Sequence, residues 1–263
     1  MKEPANLPSE EKSSVQSEDD AGLKTPDIET TQAGPETTTA ENIPEQKAHT
    51  EKAPVEKAPV EKAPVEKTAV NGFQVMALHE SVQRAVDMSG YTDPTPIQAQ
   101  IIPHMLDGRD VLAQSQTGTG KTASFTLPMI DILASGRAKS RLPRSLILAP
   151  TRELAAQVAE SFENFSSHHK LSMALLIGGV SFADQNTALS KGVDVLIATP
   201  GRLLDHFERG KVLLNDVKIL VIDEADRMLD MGFIPDVERI AGLLPRMRQT
   251  LFFSATLSDD IQN

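Results

Sequence analysis

Between residues 110 and 253 the chain alternates short aliphatic runs with longer stretches whose apolar positions recur every three or four residues. The runs are Asp110–Ala113, Ser145–Ala149, Ser172–Ile177, Val193–Ala198, Ile219–Ile222 and Thr250–Phe253. They are short and nearly continuous in apolar character, as strands buried on both faces must be. The helical patterns between and after them cover 121–134, 152–168, 182–190, 201–208 and 234–243. Strand–helix alternation predicts an α/β fold, with a mostly parallel sheet, right-handed crossovers and helices on both faces. In such a sheet ligands bind outside the carboxyl ends of the strands. Ahead of the first strand, 79–88 is expected to be helical. A turn follows at Ser89-Gly90, and Asp93-Pro94-Thr95-Pro96 holds the chain extended until a further helix begins near Ile97.

Composition divides the chain near residue 70. Residues 1–70 hold 8 of the 17 prolines, no aromatic residue, and 8 Lys against 15 acidic residues, with Glu-Lys-Ala-Pro-Val repeated at 51–55, 56–60 and 61–65. Such a stretch buries too little apolar surface to offset its ordering entropy, so a disordered tail of polyproline character is expected. It serves as a spacer, as a docking arm for a partner the sequence does not name, or as a solvated extension with no specific role. The tail carries most of the net charge of −11, and the remaining 18 basic and 22 acidic residues leave 71–263 only mildly acidic. Binding to nucleic acid would therefore rely on a local patch. The absence of Cys excludes disulfides and thiolate metal sites. With no visible secretory signal and no apolar run near the ~18 residues of a membrane span, a soluble cytoplasmic protein is expected.

Two motifs carry chemistry. Ser115, Gln116, Thr117, Gly118, Thr119, Gly120, Lys121 and Thr122 follow the first strand and open a helix, which is the phosphate-loop pattern. Gly118 and Gly120 let backbone N–H groups approach an anion at the helix N-terminus. Lys121 supplies a point charge to the β- and γ-phosphates, and Thr122 is placed to ligate Mg²⁺. The second motif, Val221-Ile222-Asp223-Glu224-Ala225-Asp226, runs from a buried strand into carboxylates. Asp223 suits Mg²⁺, and Glu224 is positioned to orient or deprotonate an attacking water. Asp226 caps a helix or forms a salt bridge, or else couples to the segment at 254–256.

These residues spell DEAD, and 73–257 resembles the amino-terminal half of a DEAD-box RNA helicase. Phe73, Gly90-Tyr91 and Pro94-Thr95-Pro96-Ile97-Gln98 are similar to that family's adenine-reading Q motif, placed here within 71–99. Ala113–Thr122 resembles motif I, Pro150-Thr151-Arg152-Glu153-Leu154-Ala155 motif Ia, Gly178-Gly179 the glycine doublet, Thr199-Pro200-Gly201-Arg202 motif Ib, and Ser254-Ala255-Thr256 motif III. The resemblance implies a RecA-like ATP-binding domain over 71–263 that uses ATP and Mg²⁺. It implies that Gln98 recognises adenine through its amide, that Tyr91 stacks on the base and that Phe73 packs behind the motif. Read without the resemblance, Gln98 is a surface glutamine. The resemblance further assigns Thr151, Arg152, Gly179, Thr199 and Arg202 to the RNA backbone, contacts that read no sequence. For Arg152 and Arg202 the alternative is a salt bridge with a helix acid. Ser254 and Thr256 would link the ATP site to domain closure.

Family members continue into a second domain of the same fold, which supplies an arginine finger worth about 10³–10⁵ in rate in related NTPases. Nothing up to Asn263 resembles that domain. The expected function is the ATP-binding domain of an ATP-dependent RNA helicase that opens short duplexes or remodels RNA–protein complexes, with little activity alone. The alternatives are a nucleotide- or RNA-binding module without useful catalysis, and a DNA helicase of the same superfamily.

Overall fold

The computed structural model describes residues 72–136 and 142–256. The tail expected over 1–70 lies outside the described residues. Six strands form one sheet: β1 (Val111–Gln114), β2 (Ser145–Leu148), β3 (Met173–Leu176), β4 (Val195–Ala198), β5 (Ile219–Ile222) and β6 (Gln249–Ser254). Their order is β1-β6-β5-β2-β4-β3, and every pairing is parallel. Each strand sits on one of the six aliphatic runs.

The central strands show why those runs lack polar alternation. Ile147, Val195, Ile197, Ile219, Val221, Leu251 and Phe253 pack into one core. Their neighbours Leu146, Leu148, Leu196, Ala198, Leu220 and Ile222 pack into a second core on the opposite face. A period of two therefore sorts apolar residues into two apolar layers, and each fully buried aliphatic side chain contributes roughly 1.5–3 kcal/mol. The first layer is covered by α1 (Glu80–Met88), α2 (Pro96–Leu106), α3 (Lys121–Ser135) and α4 (Arg152–Ser166). The second is covered by α5 (Phe182–Lys191), α6 (Pro200–Glu208), α7 (Ala225–Asp230) and α8 (Ile234–Leu243). The sequence pattern did not announce α7 or a short 3-10 helix at Gly72–Val75.

Two polar features lock the layers. Thr95 caps α2 with a reciprocal box: its hydroxyl accepts the Gln98 N–H, and the Gln98 carbonyl oxygen accepts the Thr95 N–H at 2.9 Å. Gln98 is fully buried, which corrects its reading as a surface residue. At the amino ends of β2 and β4, the Arg144 guanidinium donates twice to Asp194 Oδ1, at 2.6 and 3.0 Å. Its remaining nitrogen donates to the carbonyls of Leu133 and Gly136, and Ser172 donates N–H and O–H to Asp194 Oδ2. One ion pair thus fastens β2, β4, the entry to β3 and the end of α3.

Candidate nucleotide cleft and nucleic-acid edge

The loop after β1 is held from below. The Ser115 N–H donates to the Ser254 carbonyl at 2.9 Å. The Ser115 and Thr119 hydroxyls lie 2.5 Å apart, and Thr119 donates to the Gln116 carbonyl at 2.8 Å. Gly118 and Gly120 adopt φ of 80° and 88°, a region in which only glycine is relaxed. Gly120 is doubly required, because a Cβ there would stand 2.5 Å from Gln98 Nε2. Gln98 donates to the Gly120 carbonyl at 3.1 Å, so the segment before β1 grips the loop that follows it.

Lys121 opens α3, and Asp223 follows β5. Their charged ends approach to 3.9 Å, between Nζ and Oδ1. Both atoms are buried, and neither has a hydrogen-bond partner. Burial pushes the Asp223 carboxyl up to about 6; Lys121 opposes that rise, and Glu224 and Asp226 add to it. A buried ammonium and carboxylate left unsatisfied are costly, and a ligand carrying both phosphate oxygens and a cation would satisfy both. Among the described residues no cluster of His, Cys, Asp or Glu could hold a metal unaided. Mg²⁺ binds through one or two carboxylates together with substrate phosphates and water, and the Asp223 carboxylate and the Thr122 hydroxyl are oxygen donors of that kind on one cavity wall.

Glu224 has φ 54°, the one positive φ at a non-glycine among the described residues. The turn swings the chain from β5 into α7 and presents the carboxylate beside Asp223, with Arg227 at 3.5 Å. Strain of this kind costs of order 1–3 kcal/mol and gathers at functional sites.

Lys121, Thr122, Asp223 and Glu224 line one cavity of about 310 Å³ together with Tyr91, Thr117, Gly118 and Gly120. Gln98, Ser115, Gln116 and Thr119 do not line it; they brace the loop from behind. Tyr91 is 40% exposed, with its ring 6.3 Å from Phe73 and 6.0 Å from Phe165. Phe73 is buried. Sequence reasoning missed the wall that α4 contributes through Leu154, Gln157, Val158 and Ser161. Their i, i+3, i+4, i+7 spacing, directly after the Thr151-Arg152 motif, was the available signal.

The other half of the carboxyl edge collects a different set. Thr151 caps α4, accepting the Leu154 N–H at 3.3 Å. Arg152 donates to the Gly178 carbonyl at 3.4 Å, and Arg202 to the Val180 carbonyl at 3.3 Å. Gly179 has φ 78°, and a Cβ there would collide with the Arg152 guanidinium. Thr199 precedes α6 without capping it. The alternative of a salt bridge to a helix acid is not met, since neither arginine pairs with a carboxylate among the described residues. Strand order explains the division. β1, β6 and β5 end at the cleft, while β2, β4 and β3 end at this basic edge. β6 runs between β1 and β5, and Asp226 accepts the Ala255 N–H at 3.2 Å just beyond it. Ser254 donates to the Thr256 carbonyl at 2.5 Å.

A parallel sheet with a phosphate loop after β1 and paired carboxylates after β5 defines a RecA-like P-loop domain. The chain belongs to the DEAD/DEAH box helicase family, whose profile matches residues 95–263. It is 47% identical over 191 residues to the ATP-dependent RNA helicase DeaD of Escherichia coli (strain K12), covering 72% of this chain and 30% of that protein. It is 46% identical over 210 residues to DEAD-box ATP-dependent RNA helicase 52A of Oryza sativa subsp. japonica, covering 73% and 35%. A crystal structure of a DEAD box protein from the hyperthermophile Methanococcus jannaschii superposes with a TM-score of 0.69 at 40% identity, over 73% of this chain and 52% of that one. The chain thus spans about a third of the length of these curated relatives. No described helix is long and apolar enough to cross a membrane.

Proposed function

We propose that this domain binds ATP with Mg²⁺ in the cleft and the RNA backbone along the β2-β4-β3 edge, as the nucleotide-binding half of an ATP-dependent RNA helicase. The observation that carries the reading is the buried, unpartnered pair Lys121 Nζ and Asp223 Oδ1. Lys121 holds the β- and γ-phosphates while N–H groups of the Gly118–Lys121 turn face the anion. Mg²⁺ held by Thr122 and Asp223 would supply neutralisation of phosphate charge. Glu224, fixed by its turn, orients the attacking water and accepts its proton. Tyr91 stacks on the base. Gln98 retains one N–H and one lone pair beyond its bonds to Gly120 and Thr95, and these are the groups left to meet the adenine edge.

Thr151, Arg152, Gly179, Thr199 and Arg202 grip phosphates and sugars without reading bases, and unwinding of short duplexes or remodelling of RNA–protein complexes follows from closure on RNA. Asp226, Ser254 and Thr256 meet at the carboxyl ends of β5 and β6, beside the cleft, and couple the ATP site to domain closure. A second domain of the same fold, closing on this edge, would contribute an arginine to the phosphates. Glu224→Gln tests the site: Mg·ATP affinity by calorimetry is expected to stay within about twofold of wild type, while RNA-stimulated phosphate release, measured with the second domain present, falls by ~10²-fold or more. Loss of binding in that variant would assign Glu224 to structure instead.

A further inference from the structure

Arg209 follows the last residue of α6 and falls in no motif. Its guanidinium carbon lies 4.3 Å from the centre of the Phe182 ring, and that of Arg202 lies 4.0 Å from the same centre. Residues 202, 206 and 209 share one face of α6. The buried His206 ring packs between them, 4.7 Å from Phe182, and its Nε2 bonds Gln185 at 3.0 Å. One aromatic ring thus gathers two cations, and among the described residues neither forms an ion pair with a carboxylate. Glu208 is engaged by Arg239 at 2.8 Å, and Asp205, the other acid on the helix, forms an ion pair with neither. Arg202 Nη1 is buried without a hydrogen-bond partner. Two like charges gathered at one ring repel, and an anion reached by both would relieve them. The cluster is continuous with the proposed RNA edge, because Arg202 and Arg152 bind carbonyls at either end of the 178–180 loop.

We propose that Arg209 extends the phosphate track off the sheet edge, so that Arg202 and Arg209 together hold a further stretch of RNA phosphodiester along the side of α6. This rests on the reading of the edge as RNA-binding. Phosphate is the group recognised, since the ring is already covered by guanidinium and imidazole and offers no free platform for a base.

The test is RNA affinity of this chain by fluorescence anisotropy at several salt concentrations, with uridine oligomers of two lengths. Arg209→Met keeps an apolar stem over Phe182 and removes the charge. It is expected to weaken binding of the longer oligomer on the order of threefold to tenfold and to lower the log–log salt slope by about one. The shorter oligomer should be affected less, and Arg209→Lys should restore the slope. Unchanged affinity and slope in Arg209→Met, with Arg152→Ala weakened, overturns the role of Arg209 alone. Arg152→Ala binding like wild type, or a wild-type chain that fails to bind at low salt, overturns the edge reading and this inference with it.

Discussion

Among the described residues, two ion pairs are buried on both sides, with nearly equal exposure and opposite design. Arg144 and Asp194 are 8% and 13% exposed at the amino ends of β2 and β4; Lys121 and Asp223 are 6% and 10% exposed at the carboxyl side of the sheet. The first pair closes to 2.6 Å, the remaining guanidinium nitrogen reaches the Leu133 and Gly136 carbonyls at the end of α3, and the second carboxylate oxygen is met by Ser172. The second stands at 3.9 Å with both terminal atoms unpartnered. Side-chain exposure is similar in the two places, and what differs is the hydrogen bonding that the surrounding chain supplies. At the amino edge it supplies a full set of hydrogen bonds, and the pair fastens the fold. At the carboxyl edge it supplies none to either terminal atom, the condition under which a buried charged pair gains most from a ligand.

The largest effect that should separate the pairs is on stability. Asp194→Ala leaves the Arg144 charge buried among carbonyls and is expected to destabilise the domain by about 3–5 kcal/mol. Denaturant unfolding would show it, with Mg·ATP affinity of the folded fraction unchanged. A loss under about 1 kcal/mol would mean that the network is decoration.

Lys121→Ala should behave in the opposite way. The ammonium has no hydrogen bonds to lose. Asp223, its carboxyl pushed up to about 6 by burial, can become neutral at pH 7 for roughly 1–2 kcal/mol. The ligand-free domain is therefore expected to lose no more than that, while Mg·ATP affinity falls by ~10²-fold or more. Intact affinity by calorimetry would dissolve the distinction between the pairs.

The two pairs were unequally legible in the sequence. Lys121 and Asp223 stand inside dense local patterns, a glycine-rich loop and an aliphatic run ending in acids. Arg144 and Asp194 are isolated polar residues 50 positions apart, and no spacing rule joins them before the sheet is assembled. The six strands were visible because two-sided burial leaves unbroken aliphatic runs. The six-residue α7 was hidden because it starts inside the acidic motif and completes fewer than two turns. Gln98 could have been read better, since Thr95-Pro96-Ile97-Gln98 is a capping-box pattern with proline at the first helical position. The positive φ of Glu224 had no sequence signal, because glutamate has no preference for that region and nothing local marks the turn.

The smallest expected effect, and the finest discriminator, is the sign of the pH dependence. Burial raises the Asp194 carboxyl too, but the Ser172 N–H and then Arg144 outweigh it, so this group is held below its ordinary value. Its contribution to stability is present above the unfolded pKa and is lost as pH falls through the folded one. Asp223 is raised to about 6 from 3.8. The ligand-free folded chain therefore takes up a proton that the unfolded chain does not, and gains stability as pH falls from 7 to 5. Over that interval the gain is about 1 kcal/mol. The lowered His206 and His169 act against it, because their unfolded forms bind protons first. The quantity to measure is thus the stability of wild type minus that of Asp223→Asn, by denaturant titration without nucleotide. The difference should grow in favour of wild type on acidification, and in saturating Mg·ATP the growth should vanish, because phosphates and cation then stabilise the carboxylate. A difference that shrinks on acidification would place Asp223 in the same class as Asp194, a satisfied structural acid.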